Sequence, residues 1–399
     1  MPSLIPSQKS LEILSTLIAF PTVSRDSNLG MIEWIRDHLR AHGIAARLSY
    51  DGSGAKANLF ATLGPGTSGG IILSGHTDVV PVDGQDWDTD PFKATLARQR
   101  LYGRGACDMK GFLAAILANL DTLLNAPRPR PIHLAFTYDE EVGCLGVKTL
   151  LSDLKAAGIA PSVCVVGEPT DMRVVRSHKG SRNYRCCVRG VEAHASQTQN
   201  GVNAIQYAAQ IINHIHQFSE QLASDPDPGC GFETPYSTIQ TSLIHGGLAR
   251  NIVPRDCEFT FGYRYLPGDD PDAMYGHVEQ FSTQKVLPAM RARSESTDIS
   301  FEKLSDNPAL RPHANGLLTR FIGGLAGVEG EGGGVSYMTE GGLYQQAGIA
   351  AVICGPGSIA QAHKPNEYLE LSQLAQCETF VRALSEKAQQ YFEQERKEA

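Results

Sequence analysis

The sequence predicts an α/β protein: a mostly parallel sheet flanked by helices, interrupted by an inserted α+β (ferredoxin-like) domain. Three observations carry that expectation. Short β-rich runs alternate with helical segments of about ten or more residues. Polar residues cluster where those runs end, the place where open parallel sheets collect their chemistry. The texture then changes after Ser177, where a longer helix and a second set of strands take over. The expected division is 1–178 for the first part of the main domain, 179–292 for the insert and 293–399 for the return.

The elements follow in order. Leu11, Leu14, Leu17 and Ile18 share one helical face, and Ile32, Ile35 and Leu39 repeat the pattern until Gly43 stops it. Strands are expected at 46–50, 58–63 and 71–74, and an apolar helix at 112–124. Two more β-rich runs, 132–137 and 163–167, end among acids. In the insert, 182–188 and 257–263 read as strands, 202–218 and 271–285 as helices, and 222–235 as a loop. Signals of the first type are expected to resume near Ile299 and to close with a charged helix at 372–397.

Composition removes several function classes. With 35 basic and 43 acidic residues the net charge is −8, and no dense Lys/Arg run exists to grip nucleic acid or an anionic membrane. No apolar run approaches the roughly 18 residues of a membrane span. Glu12 interrupts the apolar start, which lacks a signal-peptide pattern, so a cytoplasmic protein is expected. Nine cysteines without a C-x-x-C pair agree with reduced thiols.

The chemistry-bearing residues sit at strand ends. The run 71–78 delivers His76 and Asp78, two apart and so on one side, where Asp78 can orient the imidazole. Alone, that pair is more often structural. Asp108 lies in a Gly-rich turn before the 112–124 helix, where an N-cap is the plain alternative. Asp139, Glu140 and Glu141 crowd three acids together, which is costly unless cations offset them or one is protonated. Glu168 follows another apolar strand, and His363 lies in a loop after 349–354. Donors gathered at separate strand ends favour a metal site. Imidazole and carboxylate without Cys suit Zn, Mn or Co, and this many donors can hold two ions sharing one carboxylate.

These motifs, in order along nearly the whole chain, resemble the zinc aminoacylase/carboxypeptidase (M20-type) family of metallohydrolases: His76-Thr-Asp78, Gly105-Ala-Cys-Asp108-Met-Lys-Gly, Asp139-Glu-Glu141, Gly167-Glu-Pro-Thr170 and His363. The resemblance implies two zincs per subunit, with Co or Mn able to substitute, and an inserted domain that makes a homodimer. It implies that His76 and Glu168 hold one metal, Glu141 and His363 the other, and that Asp108 bridges. Glu140 would be the general base and Asp78 would orient His76. His194, within Gly190-Val-Glu-Ala-His194-Ala-Ser196, would reach a neighbouring active site and polarise the scissile carbonyl.

Finer features resemble the acetylornithine deacetylase branch: His178-Lys-Gly180, Arg264-Tyr-Leu-Pro-Gly268, Met338-Thr-Glu-Gly341 and the stretch 355–370. The implied substrate is a small N-acyl amino acid with a basic side chain. Arg264, helped by Asn251, is a candidate for its carboxylate and Glu340 for its ammonium. A surface salt bridge, a self-bonded loop residue and a solvated turn are the plain alternatives for these three. A succinyl-diaminopimelate desuccinylase, a dipeptidase or another N-acyl amino acid hydrolase of the same family, or a non-catalytic relative that binds amino-acid derivatives, are the rival functions. His38 and His42, spaced i, i+4 but without the Glu of H-E-x-x-H, read as an exposed helix face. Lys110 is expected in solvent, close enough to Asp108 to tune it.

Overall fold

The computed structural model describes residues 5–126, 129–313, 316–328 and 332–398. Residues 1–4 and 399, the outer ends of the expected first and last blocks, lie outside these. The chain forms two compact units, one from 1–177, 310–333 and 339–399, the other from 178–309 and 334–338.

The first unit is built on a mixed sheet. Its strands run in the order Ala46–Tyr50, Ala57–Leu63, Ile132–Thr137, Ile71–His76, Val163–Pro169 and Ala350–Gly355, with a short strand beginning at Val175 beyond. The central pairings are parallel, while the outer ones are antiparallel. Ile71–His76, Ile132–Thr137 and Val163–Pro169 are buried along their whole length. Strands covered on both faces have no reason to alternate, which is why they read as predominantly apolar runs, with Ser74, His133 and Thr137 as buried exceptions.

The expected helix at 112–124 is two helices, Gly111–Ala118 and Leu120–Asn125. Asn119 turns its Nδ2 back to the Ala115 carbonyl at 2.8 Å, offering the backbone a competing bond at the break. The first of these helices packs its Phe112 ring on Gly167, where an added Cβ would come within 2.1 Å of the ring. The closing helix, Leu371–Glu398, buries Leu374, Phe380, Val381 and Leu384 in the same core.

The second unit runs strand Gly180–Arg189, helix Ala204–Ser224, strands Thr238–Gly246 and Asp256–Tyr265, a helix starting at Pro271, and strand Asp298–Asn307. The spatial order is second, third, first, fourth, with every neighbour antiparallel. That is the split β-α-β-β-α-β arrangement of ferredoxin-like folds. Tyr184, Cys186, Val188, Phe259 and Phe261 face Ala208, Ile211 and Ile215 in its core.

One boundary is corrected. The return to the first unit, expected at 293, comes at 310. Ile299 belongs to Asp298–Asn307, which pairs with Gly180–Arg189 as the fourth strand of the second sheet. Without that strand Gly180–Arg189 would be an uncovered edge with its backbone groups unpaired.

Candidate metal centre

The site is assembled at the carboxyl ends of the parallel strands of the first unit. His76 ends Ile71–His76, the acids 139–141 follow Ile132–Thr137, and Glu168 lies near the end of Val163–Pro169. Asp108 comes from the Gly-rich turn between the short strand Arg100–Tyr102 and the helix Gly111–Ala118, with the Asp108–Met109 peptide cis. Gly105 makes that turn with φ +78°, and a Cβ there would meet Val79 at 2.6 Å. His363 arrives on the loop after Ala350–Gly355, itself at φ +63°.

Two donor groups result, His76–Asp108–Glu168 and Asp108–Glu141–His363, each with ligand atoms within 4.8 Å of one another. Asp108 belongs to both. Its Oδ1 is 3.0 Å from His76 Nε2 and its Oδ2 is 3.4 Å from His363 Nε2. Glu168 Oε1 lies 3.7 Å from His76 Nε2, and Glu141 Oε2 lies 3.0 Å from His363 Nε2.

The charge balance is poor without a cation. Burial first, then neighbouring acids, pushes the Glu140, Glu141 and Glu168 carboxyls above their ordinary range. Against the same burial penalty, hydrogen bonds and charge from His363 and His76 hold the Asp108 carboxyl low. His363 is pushed up to about 10 by hydrogen bonds to Asp108 and Glu141. The buried Glu168 Oε1 has no hydrogen-bond partner among the described residues, an expensive arrangement unless something positive faces it. Oxygen and imidazole donors, shared through one carboxylate, fit two divalent cations.

Asp78 orients His76 differently from expectation. Its backbone carbonyl, 2.8 Å from His76 Nδ1, does so, whereas its carboxylate is 3.7 Å away. The carboxylate instead accepts from the Glu140 and Glu141 amides at 3.1 and 3.3 Å and from Ser24 Oγ at 2.7 Å. It therefore holds the acidic turn in place. Asp139 faces away and pairs with Lys56 at 2.6 Å.

The remaining expected residues divide between the units. His194, Asn251 and Arg264 belong to the second unit, all exposed. His194 Nδ1 bonds Ser196 Oγ at 2.7 Å, and the Asn251 carbonyl accepts from the Ala195 amide at 3.0 Å. Glu340, in the first unit, is 1% exposed rather than in a solvated turn. Burial raises its pKa to about 7, against hydrogen bonding from the Thr137 and Ser74 hydroxyls, and its Oε2 accepts from Ser74 Oγ at 3.2 Å. Lys110 is also buried, not solvated. Its Nζ donates to the Leu17 and Phe20 carbonyls at 3.0 and 2.8 Å, ending the helix Gln8–Ile18, so its charge serves that helix rather than Asp108. His38 is half-buried, stacked on Trp34 and bonded to the Leu117 carbonyl at 3.3 Å, so its face is not simply solvent.

Sequence reasoning missed Glu367, Arg104 and Gln85, buried or half-buried polar residues that surround the Asp108 turn. The signal available was an acid four residues after His363, within the stretch 355–370.

Comparison with known proteins places the chain in a family. Residues 72–387 match the pattern of Peptidase family M20/M25/M40. An acetylornithine deacetylase of Pasteurella multocida is 32% identical over 367 residues, covering 90% of this chain and 92% of its own. One from Myxococcus xanthus is 33% identical, covering 92% and 94%. Among solved structures, an M20 family metallo-carboxypeptidase from Sulfolobus solfataricus superposes with a TM-score of 0.73 at 18% identity, covering 95% of this chain and 99% of that one. A dinuclear metal binding peptidase of the M20 family from Bacillus subtilis superposes at 0.69 with 14% identity, covering 96% and 98%. The chain therefore belongs to Peptidase family M20/M25/M40 and is a hydrolase acting on amide bonds.

Proposed function

We propose that this hydrolase removes the acetyl group from N2-acetyl-L-ornithine, releasing L-ornithine and acetate, in arginine biosynthesis. The observation that carries the reading is Asp108, whose two carboxylate oxygens are divided between the His76 and His363 donor groups. The relatives named acetylornithine deacetylase, each aligned over nine-tenths of this chain, support the substrate.

His76, Asp108 and Glu168 would hold one zinc, and Asp108, Glu141 and His363 the second, with cobalt or manganese able to replace them. When bound, such ions act as Lewis acids on the amide carbonyl and lower the pKa of water. Glu140, buried beside the donor groups, takes a proton from the attacking water and returns it to the leaving nitrogen. Asp78 keeps Glu140 in register by accepting its amide hydrogen. His194 is assigned as a donor to the developing oxyanion, and Arg264 with Asn251 as the carboxylate contacts. The substrate's ammonium is assigned to Glu340, a buried carboxylate with only neutral hydroxyls, Thr137 and Ser74, to offset its charge.

We further propose a cytoplasmic homodimer formed through the second unit. Its edge strand Thr238–Gly246 exposes Leu243 and Ile244, and free edges with apolar side chains favour pairing. All nine cysteines are free, in keeping with a reducing compartment.

The deciding experiment is metal analysis joined to assay. Purified protein should contain two divalent ions per chain and cleave acetylornithine faster than succinyl-diaminopimelate or a dipeptide. Preference for either of the latter overturns the substrate. Metal binding and substrate binding without turnover would make the protein a binding module.

A further inference from the structure

Beneath the donor groups lies a set of buried polar contacts around the Asp108 turn. Arg104 and Glu367 are each 1% exposed and form an ion pair at 2.8 Å. Glu367 Oε1 accepts from the amides of Cys107 and Asp108 at 2.9 and 3.0 Å, and its Oε2 from the Gly105 amide at 3.0 Å. Its own carbonyl accepts from the Gly103 amide at 3.0 Å. One side chain thus holds the whole turn that presents Asp108.

The same set reaches the His363 loop. Arg104 donates to the Lys364 carbonyl at 3.3 Å and to Gln85 Oε1. Gln85 Nε2 in turn donates to the carbonyl of His363 at 3.0 Å. Asn366 clasps Asp88 twice, accepting from its amide at 2.9 Å and donating to its carboxylate at 3.1 Å. His363 and Asn366 both have positive φ, +63° and +58°, the left-handed conformation that His and Asn adopt more readily than most non-glycine residues. Directly after Glu367, Tyr368–Glu370 pairs with Arg100–Tyr102, which leads into the Asp108 turn.

We propose that Gln85, Arg104 and Glu367 form a clamp that fixes the Asp108 turn and the His363 loop to one another, and thereby sets the affinity of the metal position shared by Asp108, Glu141 and His363. These are positioning residues. This inference rests on the two-metal reading above. A buried carboxylate is suited to the task because it accepts from several donors at once, and the Arg104 fork offsets its burial cost while binding the second loop. A glutamine at 367 would offer one acceptor oxygen in place of two and could not pair with the guanidinium.

The test is a zinc titration of the chelator-stripped full chain against a competing chromophoric chelator, with His363→Ala marking which ion that position holds. Glu367→Gln and Gln85→Ala should each weaken that same ion about 10–100-fold, the range seen when groups behind a ligand are removed. In Gln85→Ala, which loosens only the His363 loop, the other ion should be affected far less, whereas Glu367→Gln also loosens the shared Asp108 turn and should weaken both. Gln85 is half-exposed and on a loop, so Gln85→Ala answers the question even if Glu367→Gln does not fold. Wild-type affinity for both ions in Gln85→Ala, or equal loss at both positions in that variant with a lowered Tm, overturns the clamp while leaving the two-metal reading intact. A wild-type chain that binds no divalent metal sinks both.

Discussion

At the scale of single residues, the decisive contrast is between groups that touch the reacting atoms and groups that hold them. In the proposed mechanism Glu140 is of the first kind. Glu140→Gln should lower kcat by about 10²–10⁴, the usual contribution of a positioned base, with metal content measured by elemental analysis unchanged. Near-normal turnover would remove its role. Asp78 is of the second kind. Asp78→Ala strips the acceptor from the Glu140 and Glu141 amides and from Ser24, so chemical denaturation should show a loss of about 1–3 kcal/mol for the unsatisfied groups. The residue types and their spacing marked both positions. How Asp78 acts was not legible, because whether its carbonyl or its carboxylate meets His76 depends on a backbone turn that alternation does not specify.

At the scale of elements, close approach and burial set the expectations. Gly167→Ala would drive a methyl into the Phe112 ring, and thermal unfolding should register about 1–3 kcal/mol of overpacking. His178 supplies a pH dependence. Burial lowers its pKa to about 4, against roughly 6.5 in an unfolded chain. Between those values the unfolded chain takes up a proton that the folded chain refuses, so stability is complete above about pH 6.5 and falls as pH drops towards 4. The full effect is about 3 kcal/mol. Urea unfolding across that window should give a flatter profile for His178→Gln than for wild type, and identical slopes would refute it. The runs 71–74, 132–137 and 163–167 were readable because burial on both faces removes polar–apolar alternation, leaving only isolated buried polar residues such as Ser74, His133 and Thr137. Asp298–Asn307 was assigned to the wrong unit because a strand's own residues do not name its partner, here Gly180–Arg189, more than a hundred positions earlier.

At the scale of the whole molecule, metal and assembly are the levers. Removing divalent ions leaves Asp108, Glu141 and Glu168 crowded and undercompensated. Chelation should abolish amide hydrolysis and lower Tm, and zinc should restore both, since a ligand at 100 times its Kd stabilises by about 2.7 kcal/mol. Activity that survives complete demetallation would contradict the metal centre. For the dimer, light scattering should give twice the 43.1 kDa chain mass, and Leu243→Lys on the exposed edge strand should shift it towards the monomer. A wild-type monomer at assay concentration would refute that assembly.

The sequence by itself determined the fold class, the strand ends where chemistry collects, and the imidazoles and carboxylates at the centre of the site. Those properties are written in local periodicity and in residue type. Only the tertiary structure decided that Lys110 and Glu340 are buried and that Glu367 grips the turn of a distant segment. Each of these depends on contacts between segments far apart in the chain, and a hydrogen bond across 259 positions leaves no spacing to be read.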